Sequence, residues 1–205
     1  MKKSREGWRR WLLVALELML AVAIVYSILA WRARDMLATG DSVEAPGLAL
    51  ERLNGTRFDL ADYAGRPVLV YFFAPWCRVC AMSAPNLRHL DRFAEDDLAI
   101  VVVALDWPTR EDVHRFAQHS GLDDDILLGT AATAAAWQVP GFPSYYALDR
   151  EHRVRFRDFG YTTTAGLLWR TWAAGQASAR IPGTTNAAGT RSGEGPVASL
   201  SRPVP

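Results

Sequence analysis

An unbroken run of seven apolar residues, Val68 to Ala74, is followed three residues later by the first of the only two cysteines in the chain. Such a run predicts a strand that is covered on both faces in a parallel sheet. From Cys77 to about Ala94, apolar residues recur at helical spacing and predict an amphipathic helix. Cys77 therefore lies at the helix N-terminus, where unpaired backbone N–H groups and the helix dipole favour a thiolate. Cys80 lies one turn further on, close enough to form a disulfide, and the pair predicts thiol–disulfide exchange.

Composition bounds the size of the protein and excludes several kinds of site. The chain has 205 residues, half of them apolar, and a formal charge of +1, which suits one domain with extensions. A nearly neutral chain gives no sign of a nucleic-acid partner. Two cysteines are too few for a disulfide-rich scaffold or a four-cysteine zinc site. We predict no metal site, because no metal-ligand spacing is found among the four histidines, His89, His114, His119 and His152.

The N-terminal 31 residues have the pattern of a membrane anchor. Residues 1–10 carry five basic side chains and one acidic one, and residues 11–31 contain a single charge, Glu17, which we interpret as tolerated rather than functional. As a helix, this 21-residue stretch is about 30 Å long, which matches a bilayer's hydrocarbon core. A cleavable signal peptide is the alternative, but Ala30-Trp31-Arg32 is a poor cleavage site. The basic excess before the span predicts a cytoplasmic N-terminus.

The rest of the chain predicts a polar connector, one compact domain and a disordered tail. An Asn54-Gly55 turn indicates a short hairpin, and a second buried strand over residues 98–105 completes a parallel strand–helix–strand unit. Strict alternation over residues 153–157 predicts an edge strand with three arginines facing outward. The expected segments are a basic cytoplasmic segment (1–10), a transmembrane helix (11–31), a connector (32–45), a domain (46–174) and a disordered tail (175–205).

Three groups of residues resemble a known family: Trp76-Cys77-Arg78-Val79-Cys80, the helix-interior Pro85, and Phe142-Pro143 before a predicted hairpin. With the N-terminal span, they resemble the membrane-anchored thioredoxin-like proteins of the TlpA/ResA type. The segments 77–85 and 160–163 are most similar to the ScsD-like protein disulfide oxidoreductases (suppressor for copper sensitivity protein D). The resemblance covers about residues 46–174. It implies an α/β thioredoxin-like fold, a central mixed sheet flanked by helices, after an N-terminal transmembrane helix.

Both the helix position and the resemblance assign roles to the two cysteines. Cys77 attacks a substrate disulfide as a thiolate, and the more buried Cys80 resolves the mixed disulfide, so no cofactor beyond this disulfide is expected. The cation of Arg78 lowers the pKa of Cys77 further, or is solvated and has little effect. The resemblance adds three supporting residues: Trp76, Phe142 and Pro143. It implies a cis peptide before Pro143, which leaves the Phe142 backbone free to pair with a substrate strand.

The sequence departs from the family at the buried acid. Thioredoxins have an acidic residue six positions before the first cysteine, where this chain has Tyr71. Many TlpA/ResA-type proteins have a glutamate three residues after the second cysteine, where this chain has Ser83. Asp106, at the end of the neighbouring predicted strand, is therefore a candidate proton acceptor for Cys80. The competing interpretation is a turn residue before Pro108.

These observations predict a periplasmic thiol–disulfide oxidoreductase, an enzyme anchored in the inner membrane by a single span. Tethered relatives mostly reduce their substrates, so we favour a reductant that acts on cysteine-containing periplasmic proteins. Its electrons are expected from a transmembrane carrier of the DsbD/ScsB kind. Two alternatives stay open: reduction of apocytochrome c during cytochrome maturation, and a copper-binding module that uses Cys77 and Cys80 as soft ligands.

Overall fold

The computed structural model describes residues 3–93, 97–122 and 125–177. Numbered in chain order, the α-helices are α1 (Lys3–Arg32), α2 (Arg78–Phe93), α3 (Arg110–Ser120), α4 (Ala131–Ala136) and α5 (Thr164–Ala177). The strands are β1 (Ala49–Glu51), β2 (Arg57–Asp59), β3 (Val68–Phe73), β4 (Ala99–Ala104), β5 (Leu127–Leu128), β6 (Ser144–Leu148) and β7 (Val154–Phe159). Short 3-10 helices cover Ala33–Asp35 and Leu60–Tyr63. The predicted disordered tail began three residues too early, because α5 continues through Ala177, and the rest of the tail, from position 178 onward, lies outside the described residues.

A five-stranded mixed sheet in the order β5-β4-β3-β6-β7 forms the centre of the domain. β3 runs parallel to β4 and antiparallel to β6, so the predicted parallel strand–helix–strand unit is confirmed. All six residues of β3 are buried, as its continuous apolar sequence predicted. The predicted hairpin is also present, as the separate antiparallel pair β1–β2. β3 thus lies in the middle of the sheet and carries the cysteine segment at its carboxyl end.

The two faces of the sheet build two cores. On one face, Tyr71 and Phe73 of β3 pack with residues of α2, α3 and α5, and the Phe73 and Phe116 rings stack at 4.4 Å. On the other face, the fully buried Phe72 ring lies 5.3 Å from the ring of Trp137, which follows α4. The alternation of β3 therefore sorts its side chains between a helical layer and a layer made by α4 and the N-terminal segments of the domain.

The edge strand β7 is covered by the connector, which is more ordered than its polar composition indicated. The backbone N–H of Gly40 donates to the Val154 carbonyl at 3.0 Å, and the Val154 N–H donates to the Val43 carbonyl at 2.8 Å. Arg157 donates through Nη1 to the carbonyls of Met36 and Leu37 at 2.7 and 2.8 Å. The prediction that the three arginines face outward from the edge strand is therefore wrong in part, because the connector covers Arg157. Main-chain groups of an edge strand need partners, and the connector supplies them.

Helix α1 contains the whole predicted span. Its segment Trp11–Ile28 is, among the described residues, the one stretch long and apolar enough to cross a membrane, and its side chains lie outside the packed domain. After α1 ends at Arg32, only the 3-10 turn precedes Met36, which is 2% exposed. The candidate anchor is thus joined to the domain by a very short tether.

Candidate active site

The two cysteines form a disulfide at the junction between β3 and α2, with Cα atoms 5.2 Å apart. Cys80 is fully buried, whereas Cys77 retains 7% exposure at the surface. α2 begins at Arg78, not at Cys77 as the spacing predicted. The Cys77 Sγ accepts a hydrogen bond from the Cys80 backbone N–H at 3.1 Å, so Cys77 occupies the position of an N-cap residue. A thiolate formed there accepts that bond and lies at the positive end of the helix dipole.

Neutral hydroxyl groups lie near the disulfide, at the sequence positions where the family resemblance implied a carboxylate. The Tyr71 hydroxyl donates to the Cys80 carbonyl at 3.3 Å, and burial, followed by the nearby Tyr145, raises the pKa of Tyr71 far above its ordinary value. Burial also raises the pKa of Tyr145 to about 12. Ser83 donates to the Val79 carbonyl at 2.9 Å. These groups stay protonated at physiological pH and are poor proton acceptors for Cys80.

Trp76 is held between two elements beside the disulfide. Its indole Nε1–H donates to both the backbone oxygen and Oδ2 of Asp106, each at 3.1 Å. On its other side, the Phe142 ring lies edge-on at 5.8 Å. Asp106 is exposed and has a positive φ of 49°. Its carboxylate and its backbone oxygen both accept from the Trp76 indole, as given above. Its role as proton acceptor for Cys80 stays a prediction.

The loop that faces the disulfide has a cis peptide between Phe142 and Pro143, as predicted. Pro143 is buried, and its carbonyl accepts a hydrogen bond from the Gly160 N–H at 2.8 Å. The fold therefore brings together Trp76 and Cys77, from the connection between β3 and α2, and Phe142, from the connection between α4 and β6. Pairing of the Phe142 backbone with substrate stays a prediction.

A groove of about 370 Å³ opens beside Cys77, between the start of α2 and α3. Its walls include Trp76, Cys77, Arg78, Asp112, Arg115 and His119. Arg78 is exposed, as expected of a residue in the first turn of α2. The pKa of Asp112 is lowered by a hydrogen bond from the Thr109 hydroxyl (2.7 Å) and then by the charge of Arg115. The Asp112 carboxylate is therefore bound by these two residues at the start of α3. Arg78 is thus positioned to add positive potential at the mouth of the groove.

The apolar helix pattern was wrong for two residues. Val79 and Met82 are 41% and 62% exposed, although their spacing predicted that they face the core. Cys80, Ser83 and Ala84 face inward instead. Val79 and Met82 are therefore exposed on the first turns of α2, close in sequence to the disulfide. With the exposed Trp76, they add apolar surface near the cysteines, which suits a polypeptide substrate.

Comparison with known proteins places this site in a family. The model of the AhpC/TSA family matches residues 42–157, more than half of the chain. The chain belongs to the AhpC/TSA family. Two curated relatives come from Bacillus subtilis (strain 168). "Thioredoxin-like protein YneN" is 27% identical over 145 residues, covering 70% of this chain and 85% of the relative. "Thiol-disulfide oxidoreductase ResA" is 27% identical over 158 residues, covering 75% and 85%.

The fold of this AhpC/TSA protein is also found in solved structures of other proteins. The crystal structure of a putative thiol:disulfide interchange protein DsbE from Chlorobium tepidum has a TM-score of 0.60 at 23% identity. The match covers 67% of this chain and 99% of that one. The predicted thioredoxin-like fold and the resemblance to the TlpA/ResA type are confirmed. The AhpC/TSA protein described here is a thiol–disulfide oxidoreductase, and its narrower similarity to ScsD-like proteins stays a prediction.

The contact between Asp106 and Trp76 gives a test that separates positioning from proton transfer. Asp106→Asn keeps a side-chain acceptor oxygen and tolerates the positive φ, whereas Asp106→Gly removes the side-chain acceptor, keeps the backbone one and adds no backbone strain. We expect kcat/KM for a disulfide substrate to stay near wild type in the Asn variant. In the Gly variant it should fall about 2–5-fold, equivalent to roughly 0.5–1 kcal/mol. Equal losses in both variants, with an altered pH profile, would instead assign proton transfer to Asp106.

Proposed function

We propose that this protein is a membrane-anchored, periplasmic reductant of protein disulfides. The proposal rests on the difference between the two sulfurs: Cys77 lies at the surface with its Sγ at the N-cap of α2, while Cys80 is fully buried. This asymmetry supports Cys77 as the nucleophile and Cys80 as the resolving thiol. Arg78, Trp76, Phe142 and Pro143 act as supporting residues around them.

The proposed reaction transfers two electrons to the substrate. The Cys77 thiolate attacks one sulfur of a substrate disulfide, which releases one substrate thiolate and leaves a mixed disulfide. Cys80 then loses its proton to solvent and attacks the Cys77 Sγ, which releases the second substrate thiolate. The substrate thiolates take up two protons, and the enzyme is left with the Cys77–Cys80 disulfide. A transmembrane electron carrier of the DsbD/ScsB kind is the proposed source of the electrons that reduce it again.

The anchor and its direction are supported by α1 and by its flanking charges. The helix is long and apolar enough to cross a bilayer, and residues 1–10 carry the basic excess that stays in the cytoplasm. The enzyme domain then lies on the periplasmic side of the inner membrane, where cysteine-containing proteins are its proposed substrates. Reduction of apocytochrome c, copper binding and a role in copper tolerance stay narrower predictions.

One labelling experiment tests both the side of the membrane and the direction of electron flow. Whole cells with a permeabilised outer membrane are treated with a membrane-impermeant maleimide, and the mass of the purified full chain is measured. We expect direct labelling of Cys77, because a working reductant is kept reduced and Cys77 is the surface sulfur. The Cys77→Ser, Cys80→Ser double variant is the unlabelled control.

The other labelling outcomes contradict separate parts of the proposal. Labelling that requires an impermeant reductant first would show a disulfide at steady state, and hence an oxidant. Labelling that requires disruption of the inner membrane would place the domain in the cytoplasm. Stoichiometric Cu(I) bound to the reduced chain, with slow maleimide reaction, would favour the copper-binding alternative.

A further inference from the structure

Helix α5 exposes a pair of tryptophans that the thiol chemistry does not use. Trp169 and Trp172 are 58% and 57% exposed, and their ring centroids are 6.1 Å apart. The Trp169 ring also contacts Phe156 of β7, at 5.9 Å. We call these three residues the α5 aromatic face. Tryptophan is highly buried on average, so two half-exposed indoles in contact on one helix indicate an interaction surface.

The α5 aromatic face lies close to the tether of the candidate anchor. From Arg32, the end of α1, to the buried Met36 there are four peptide steps, which span at most about 14 Å. Arg157 of β7 donates to the Met36 carbonyl at 2.7 Å. Its neighbour Phe156 points to the opposite sheet face and contacts Trp169. The tether and the aromatic face therefore meet at one edge strand, on its two sides.

We infer that the α5 aromatic face rests in the headgroup region of the membrane that holds α1. Indole rings prefer this region, because they combine a large apolar surface with one N–H donor. The tether keeps the β7 edge near the end of α1, because Met36 is within about 14 Å of Arg32. A lipid interface within reach of this edge offers both rings an apolar surface. The inference rests on the proposed membrane anchorage.

Contact through this edge orients the enzyme. In the sheet order, β3 lies two strands in from β7, at about 4.8 Å per strand. The disulfide at the carboxyl end of β3 is then held roughly 10 Å further from the membrane than the β7 edge.

Site-specific photocrosslinking in the full chain tests the contact. The full chain is reconstituted in nanodiscs of phosphatidylcholine and phosphatidylglycerol, with p-benzoylphenylalanine at position 169, 172 or 118. Gln118 is the matched control, because it is an exposed residue of α3, the helix that connects β4 and β5 at the other edge of the sheet. After irradiation, mass spectrometry of the chain identifies lipid adducts. We expect at least a several-fold excess of lipid adduct at positions 169 and 172 over position 118.

Other outcomes would overturn the inference. Lipid adduct at 169 and 172 no higher than at 118 would show that the indoles do not reach the bilayer. Crosslinks to a second copy, or to the C-terminal residues of the same chain, would show that another surface covers them. Retention of the chain on nanodiscs during gel filtration is scored separately. Loss of retention contradicts the anchorage itself, whereas retention without lipid adduct contradicts only this inference. Disulfide-exchange activity of each variant checks that the domain is folded.

Discussion

Replacing Cys80 with serine should trap a covalent mixed disulfide between Cys77 and a substrate protein, because attack proceeds and resolution does not. Replacing Cys77 with serine should trap nothing and reduce activity to the uncatalysed background. The reason is the position of each sulfur: Cys77 Sγ lies at the helix N-cap near the surface, while Cys80 is fully buried. Non-reducing electrophoresis of the full chain after incubation with an oxidised protein substrate measures the adduct.

The matched control for this experiment is the double variant, which carries no thiol and should form no adduct at all. The Arg78→Ala variant tests how much the positive charge of Arg78 assists the attack by the Cys77 thiolate. Because Arg78 is exposed, its removal should slow adduct formation only a few-fold, and the difference should shrink with added salt. If Cys77→Ser forms the adduct instead of Cys80→Ser, the assignment of the two roles is wrong.

Truncating Tyr71 should have the largest effect on stability among the residues of the site. Its side chain is fully buried between the disulfide and Tyr145, and its ring lies 4.9 Å from the Tyr145 ring. We expect Tyr71→Ala to lower the free energy of unfolding by about 3–5 kcal/mol, by analogy with other large aromatic truncations. Tyr71→Phe keeps the packing and removes only the hydrogen bond to the Cys80 carbonyl, which is worth about 1 kcal/mol. Denaturant unfolding of the full chain in detergent micelles, followed by fluorescence, measures both.

The same pair of variants tests whether the hydroxyl takes part in proton transfer. Burial raises the pKa of Tyr71 far above its ordinary value, so its hydroxyl stays neutral during turnover. The rate at which Cys80 resolves a mixed disulfide should therefore stay within about twofold in Tyr71→Phe, a change below 1 kcal/mol. A drop of tenfold or more, with normal stability, would contradict this and make the hydroxyl part of the chemistry.

The sequence predicted most of what local patterns control. β3 and α2 follow from a continuous apolar run and a helical repeat around Cys77, and both appear within about one residue of the predicted positions. The start of α3 is local in the same way, because the Thr109 hydroxyl accepts a hydrogen bond from the Asp112 N–H three residues later. The cis peptide at Pro143 came from family resemblance, since local sequence rarely specifies a cis bond.

Features that depend on distant partners were missed. Met36 and Leu37 looked like part of a polar connector, because the strand that buries them lies more than a hundred residues later. The exposure of Trp169 and Trp172 could not be predicted from the sequence for another reason. α5 has apolar residues on several sides, so its pattern does not show which face is buried. The hydrogen bond between the Trp76 indole and the Asp106 carboxylate accompanies a positive φ at Asp106. Aspartate seldom adopts a positive φ, and the neighbouring residues in the sequence do not indicate it.

The pairing of the connector with β7 has a consequence for the order in which the protein folds. Met36 and Arg157, which are hydrogen-bonded, are 121 residues apart in the chain. At ordinary rates of synthesis the connector waits about 6–24 s for its partner strand to be made. β7, which only α5 follows in the domain, is therefore needed to close the edge beside the first part, and folding has to wait for nearly complete synthesis. A nascent or prematurely ended chain that stops before β7 keeps β6 as an open edge, and such a chain is a ready substrate for edge-to-edge aggregation and for quality-control proteases.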